Sequence, residues 1–261
     1  MTAQRSGGVT SAPVTVTEVG AALVITIDRP AAKNALDVAV ARAIADALDR
    51  LDATDRLRVG ILTGAGGTFS AGMDLKAFAR GETPFLDGRG LCGLTEAPPR
   101  KPLIAAVEEW ALAGGFELVL ACDLVVAAET ARFGLPEVTR GLVAAAGGAL
   151  RLPSRIPSAI ATEILLTGES FSASRARELG LLNAMTPPGG ALAAALELAG
   201  RIGCHAPLAV EASVRIARGL ADPADDWCRQ ETISRAVLDS EDAAEGAAAF
   251  AERRAPVWRG R

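Results

Sequence analysis

Two glutamates sit in segments whose composition gives them chemical potential. Glu117 lies in Gly114-Gly115-Phe116-Glu117-Leu118-Val119-Leu120, a stretch apolar on nearly every side, which reads as a buried helix. A glutamate is seldom fully buried without a partner. Burial raises a carboxyl pKa toward the range useful for proton transfer at neutral pH. The start of the helix pulls the other way, so Glu117 also reads as a first-turn acid answering the helix dipole. The glycine pair adds a second capability: backbone without a Cβ approaches a ligand closely, and free N–H groups at a helix start can hold an oxyanion. A donor and an acid–base group would thus lie side by side. Ser70-Ala71-Gly72-Met73-Asp74-Leu75 has a related form, small residues leading into a helix start, though alone it is an ordinary strand–turn–helix. In Phe133-Gly134-Leu135-Pro136-Glu137, Pro136 fits the first position of a short helix with Glu137 just inside it, either as a plain first-turn acid or as a second functional carboxylate.

Other chemistries are excluded by residues that are missing. His205 is the one histidine and no G-x-S-x-G elbow accompanies it, so it is expected to cap or pack near a helix boundary. No G-x-x-x-x-G-K-[ST] loop occurs. Gly64-Ala65-Gly66-Gly67 follows a strand, but Phe69 stands where a dinucleotide loop needs its third glycine. Cys92, Cys122, Cys204 and Cys228 form no CxxC pair, so no metal site is expected, and Cys122 and Cys204 read as small core residues in a reducing, cytoplasmic setting.

The elements that must position these residues are legible from periodicity. Residues 14–19 and 23–28 read as a hairpin, Asp37 as the cap of a helix running to about Leu51, and 59–63, 102–107 and 122–127 as short buried strands. Strands alternating with helices imply an α/β fold. After about Leu142 the pattern turns helical, over 158–167, 172–181, 190–202, 207–220, 225–238 and 240–253, with Ser172 and Ser240 as N-caps. A chain of 261 residues, half hydrophobic, can bury a large core. Its net charge of −4 predicts no nucleic-acid partner. Residues 1–14 lack the order of a signal peptide. Residues 111–128 carry Glu117 and Asp123, each costing about 2.5–3.5 kcal/mol at a bilayer centre, so this run reads as protein interior and no membrane association is expected.

Taken together, the sequence resembles the crotonase (enoyl-CoA hydratase/isomerase) superfamily. The matching tracts occur in the family's order: Asp28-Arg29-Pro30 with Lys33-Asn34-Ala35-Leu36, Phe69 to Leu75, Gly114 to Leu118 with Cys122-Asp123, Phe133 to Glu137, Gly147-Gly148, and Phe250-Ala251-Glu252-Arg253-Arg254. Gly93-Leu94-Thr95-Glu96, Leu150-Arg151-Leu152-Pro153 and the tract from Arg254 to Arg261 are similar to the carnitinyl-CoA dehydratase subgroup. The resemblance implies a crotonase-like ββα spiral core over residues 14–200, with an all-helical trimerisation region over 201–261, in a homotrimer or dimer of trimers. Coenzyme A enters as part of an acyl-CoA thioester substrate, with no separate cofactor. It would lie across Lys33, Ala71, Asp74, Leu75 and Lys76, with Phe250 and Arg253 closing the site, from the same or a neighbouring subunit.

The resemblance further implies a chemistry. The N–H groups of Met73 and Gly114 would hold the thioester oxygen, and Glu117 and Glu137 would add water to a 2-enoyl-CoA or remove it from a 3-hydroxyacyl-CoA. Glu117 is taken as the water base and Glu137 as the proton donor. The alternatives are an enoyl-CoA isomerase, an acyl-CoA hydrolase, or a non-catalytic acyl-CoA- or RNA-binding homologue. Two tracts depart from the family pattern. Glu108-Glu109 stand where Asn-Gly is common, so Glu109 is expected to take a positive φ. Ala144-Ala145 stand in place of Pro-Gly, adding methyls near the water site.

Overall fold

The computed structural model describes residues 12–218, 235 and 238–257. In chain order the strands are β1 (Val14–Val19), β2 (Ala22–Ile27), β3 (Val59–Gly64), β4 (Phe85–Leu86), β5 (Gly90–Leu91), β6 (Leu103–Val107), β7 (Trp110–Leu112), β8 (Leu124–Ala128), β9 (Arg132–Gly134), β10 (Phe171–Ser172) and β11 (Ala184–Thr186). The helices are α1 (Val38–Ala53), α2 (Leu75–Phe78), α3 (Gly114–Ala121), α4 (Gly148–Arg155), α5 (Ser158–Thr167), α6 (Ala173–Glu178), α7 (Ala191–Gly203), α8 (Pro207–Arg218) and α9 (Glu241–Glu252), and Pro136–Arg140 forms a 3-10 turn.

The main sheet runs β1-β2-β3-β6-β8-β11, antiparallel between β1 and β2 and parallel from β2 onward. Its inner strands are apolar on both faces because both faces are covered. Leu23, Ile25, Leu62, Leu103, Ala105 and Val125 point into the larger core with α1 and α3. The alternate residues Val24, Ile61, Ile104 and Val126 meet the stripe Ala191, Ala195 and Ala199 of α7. Those alanines lie at helical spacing on the buried face and let α7 sit close to the sheet.

A second, shorter layer stacks beside the main sheet. β7 pairs in parallel with β9, which pairs antiparallel with β10. Isolated bridges extend the layer, Ser70 to Ala111 and Leu36 to Met73, both parallel. Three strands of the main sheet are thus each followed by a short extended piece in the second layer and then a helix: β2, Leu36, α1; β3, Ser70–Met73, α2; β6, β7, α3. This is the expected ββα spiral. The three-residue pieces carry too little sequence to show a period, so the second layer was not legible beforehand. After Leu142 the chain is not purely helical: β10 and β11 return to the sheets before α7. The helix expected over 225–238 lies outside the described residues apart from 235 and 238.

Candidate active site

The amide pair is built by this second layer. The bridge between Leu36 and Met73 uses the Gly72 carbonyl, which accepts from Leu36 N at 2.9 Å, and the Asp74 N–H, which donates to Leu36 O at 2.8 Å. In a parallel ladder this leaves the Met73 N–H on the opposite side of its strand. Counting on from the Ser70–Ala111 bridge, Met73 comes level with Gly114, the first residue of α3, whose N–H has no intrahelical acceptor. A Cβ built on Gly114 would lie 3.7 Å from Met73 N. Gly72 makes this approach possible: its φ is +92°, and a Cβ there would stand 2.8 Å from Leu112 O and 3.1 Å from Gly114 N. Ala113, which precedes α3, has φ 49° and ψ −129°, a conformation an L-residue seldom takes. Its N–H donates to Gly134 O at 2.9 Å, tying the start of α3 to the segment that carries Glu137.

Both glutamates are buried. Glu117 Oε1 accepts from Gly148 N at 2.9 Å. Burial raises the Glu117 pKa to about 7, against the lowering effect of the Gly148 and Ala146 N–H groups and of the Arg151 charge. Gly148 is required here: a Cβ would lie 3.0 Å from Glu117 Oε1 and 2.9 Å from the Ala144 methyl. Burial, together with the nearby Glu117 charge, likewise raises Glu137 to about 8. Glu137 Oε2 has no hydrogen-bond partner among the described residues. The site thus joins two main-chain donors to two carboxyls held near neutrality, one well solvated by N–H groups and one not. That arrangement can exchange protons beside a bound carbonyl.

The other expected residues divide. Lys33 lies beside the amide pair, its carbonyl accepting from Ala71 N at 3.0 Å, and Lys76 follows on the same edge, both side chains exposed. Asp74 and Leu75 start α2. The Asp74 carboxylate is occupied there, accepting from Lys76 N, Ala77 N and, at 3.0 Å, Arg29. Arg29 also pairs with Asp37, the cap of α1, so one guanidinium joins the three segments around Met73. Phe250 and Arg253, expected to close a site from the same or a neighbouring subunit, lie on and just after α9. They line a groove of about 280 Å³ between α9 and the 3-10 turn, with Arg140 stacked over the Phe250 ring at 4.2 Å.

Glu109 takes the positive φ anticipated for it, 40°. Its neighbour Glu108 has a role the sequence did not disclose: its carboxylate accepts from Gly189 N and Ala191 N, both at 3.0 Å, and caps α7. Ala144 is buried against Gly148, whose N–H donates to Glu117. His205 stands at the boundary between α7 and α8, as expected. Cys122 is buried, but Cys204 is exposed, because α7 ends there and the apolar stretch around it no longer faces the sheet. Gly148, Ala146 and Arg151 act on Glu117 and were not singled out for that role; the signal available was Gly147-Gly148 opening a helix with Arg151 one turn on.

A family model described as enoyl-CoA hydratase/isomerase matches residues 17–261. A carnitinyl-CoA dehydratase of Salmonella typhi is 44% identical over 256 residues, covering 94% of this chain and 98% of its own. A crystal structure of carnitinyl-CoA hydratase from Mycobacterium avium superposes with a TM-score of 0.92 at 46% identity, covering 97% of this chain and 100% of that one. An enoyl-CoA hydratase structure from Mycobacterium tuberculosis H37Rv is 57% identical with a TM-score of 0.79, covering 96% of this chain and 100% of that one.

Proposed function

The chain belongs to the enoyl-CoA hydratase/isomerase family, and from that premise we propose that it is a hydro-lyase that interconverts 2-enoyl-CoA and 3-hydroxyacyl-CoA thioesters. The observation that supports the reading is the pair of buried glutamates, Glu117 and Glu137, near enough for the charge of one to act on the other, with Glu117 on the helix that Gly114 opens beside Met73.

In the hydration direction the thioester oxygen accepts from Met73 N and Gly114 N. Such a preorganised donor typically contributes about 2.7–4 kcal/mol as charge develops on the oxygen. Glu117, ionised, takes a proton from water as its oxygen bonds to the β-carbon. The double-bond electrons move onto the thioester as an enolate, and protonated Glu137 supplies the α-proton. Dehydration runs the same path backward. The assignment of base and acid follows from surroundings: burial raises both carboxyls, but N–H donors and a nearby cation oppose it at Glu117, whereas the Glu117 charge adds to it at Glu137. Carnitinyl-CoA and crotonobetainyl-CoA belong in the substrate class to be tried, given the names of the relatives.

The test is a panel of enoyl- and hydroxyacyl-CoA thioesters, including crotonyl-CoA and crotonobetainyl-CoA, read by loss of the conjugated thioester's ultraviolet absorbance and by product mass. A gain or loss of one water is expected. An unchanged mass would point to isomerisation and free coenzyme A to hydrolysis, and either one alone would overturn the proposal.

A further inference from the structure

We infer that Arg29 and Asp74 are positioning residues that form a strut for the Met73 N–H, so that the Asp74 carboxylate serves the rate of the reaction and not the binding of coenzyme A. The inference rests on the reading of Met73 N as a donor to the thioester oxygen. Met73 is held by the groups on either side of it. Before it, Gly72 N donates to Ser70 Oγ at 3.1 Å, and Ser70 Oγ donates to Asn34 O at 2.8 Å. After it, Asp74 N donates to Leu36 O. Arg29 locks that second side. Its Nη2 donates to Asp74 Oδ2 at 3.0 Å, while Nη1 pairs with Asp37 Oδ2 at 3.0 Å and donates to Ala35 O. One guanidinium therefore grips the two carboxylates that cap α1 and α2, and the Leu36–Met73 bridge lies between those caps.

The strut stands on a rigid base. Arg29 N donates to Asn34 Oδ1 at 2.9 Å, and the Arg29 carbonyl accepts from Ala32 N and Asn34 N, both at 2.9 Å. Asn34 is fully buried, and its Nδ2 donates to Ala65 O at 2.8 Å and Thr68 O at 2.7 Å. The side chains of Arg29, Asp37 and Asp74 are only 17–23% exposed, so water competes little for the guanidinium, whose planar fork makes directional bonds to carboxylates. Both Asp74 oxygens are committed within the protein: Oδ1 accepts from Lys76 N at 3.0 Å and Ala77 N at 3.2 Å, and Oδ2 from Arg29. Asp74 and Met73 share a peptide unit, so a shift of one turns the other, and an oxyanion donor is effective only within a narrow range of distance and direction.

The experiment compares Asp74→Asn and Arg29→Met with wild type by two readouts. Asparagine caps a helix as well as aspartate does, so Asp74→Asn keeps an oxygen for Lys76 N and Ala77 N and turns an amide N–H toward Arg29, breaking the ion pair alone. In crotonyl-CoA hydration both variants are expected to lose about 10–100-fold in kcat with KM held within about threefold, the pattern of an interaction made in the transition state. The second readout is the infrared carbonyl band of bound butyryl-CoA, a saturated thioester with an isotopically labelled carbonyl and no double bond to hydrate. That band is expected to fall on binding to wild type and to return part of the way toward its solution position in both variants. A raised KM at unchanged kcat in Asp74→Asn overturns the inference, because the carboxylate then serves coenzyme A. A carbonyl band at the wild-type position in both variants overturns it as well. A wild-type band left at its solution position overturns instead the reading of the amide pair, so the two failures are distinguishable. Should Arg29→Met not fold, Asp74→Asn decides alone.

Discussion

Glu137 keeps one oxygen without a hydrogen-bond partner among the described residues, which is tolerable for a protonated carboxyl and costly for an ionised one. Its neighbour Glu117 is surrounded by donors, so similar side chains in one site meet opposite environments. Replacing either with glutamine keeps the shape and removes the proton exchange. Glu117→Gln and Glu137→Gln are each expected to lose about 10²–10⁴-fold in kcat while still binding acyl-CoA, measured by turnover and by calorimetric titration. A pH dependence of stability follows as well. The Glu137 pKa is raised in the folded state, from 4.5 to about 8, so the fold holds an extra proton between these values and loses stability as pH rises through that window. Glu137→Gln removes this loss. The variant should match wild type in denaturant unfolding near pH 4.5 and exceed it by about 4–5 kcal/mol at pH 8.5, since each pKa unit corresponds to about 1.4 kcal/mol. A difference that stays constant across pH would show that Glu137 is not held protonated by its surroundings.

At the scale of elements, the amide pair depends on how closely Ser70–Met73 approaches the start of α3. Gly72 permits that approach by its positive φ and its missing Cβ. Gly72→Ala would press a methyl against the Ala113 methyl at 2.8 Å and against Leu112 O at the same distance. It is expected to lower stability by about 1–3 kcal/mol and, if the proposed mechanism holds, to depress kcat more than KM, because in that mechanism the displaced donors act on the developing enolate. Glu108 offers the contrast. Its carboxylate caps α7 on the opposite face of the main sheet, so Glu108→Ala should cost about 1 kcal/mol of stability in a melting experiment and leave kcat unchanged. A matching fall in kcat would mean that the strand carrying Glu109 and β7 shifts with it.

At the scale of the whole molecule, the single chain leaves large apolar side chains in water. Leu208 and Ile216 on α8 are 80% and 68% exposed, and Leu166 on α5 is 72% exposed. Exposed apolar side chains such as Leu208 and Ile216, eight residues apart on one helix, are candidates for an association surface. The expected assembly is a homotrimer or a dimer of trimers, and light scattering should return three or six chain masses. Leu208→Glu combined with Ile216→Glu should shift the population toward the single chain, and a single-chain mass for the wild type would remove the proposal.

What the sequence determined by itself is everything encoded by near neighbours. Asp37 before an amphipathic run, Ser172 and Ser240 before helices, the apolar strands of the main sheet, and glycine pairs opening helices are patterns within a few residues of one another, and each formed where its pattern lay. Glu117 stood out locally as an acid in an apolar stretch, whereas Glu137 read equally as a first-turn acid and was singled out only by the family resemblance. Only the tertiary structure decided which groups meet. Glu108 finds Gly189 and Ala191, Asp74 finds Arg29, Arg151 finds Thr95, and Glu117 comes near enough to Glu137 for its charge to hold a proton there. β7, β9 and β11 are three residues each, and a strand that short exists only through its partners. Periodicity is a property of consecutive residues, whereas hydrogen bonding and electrostatics depend on distances between segments, and those are set by how the spiral winds.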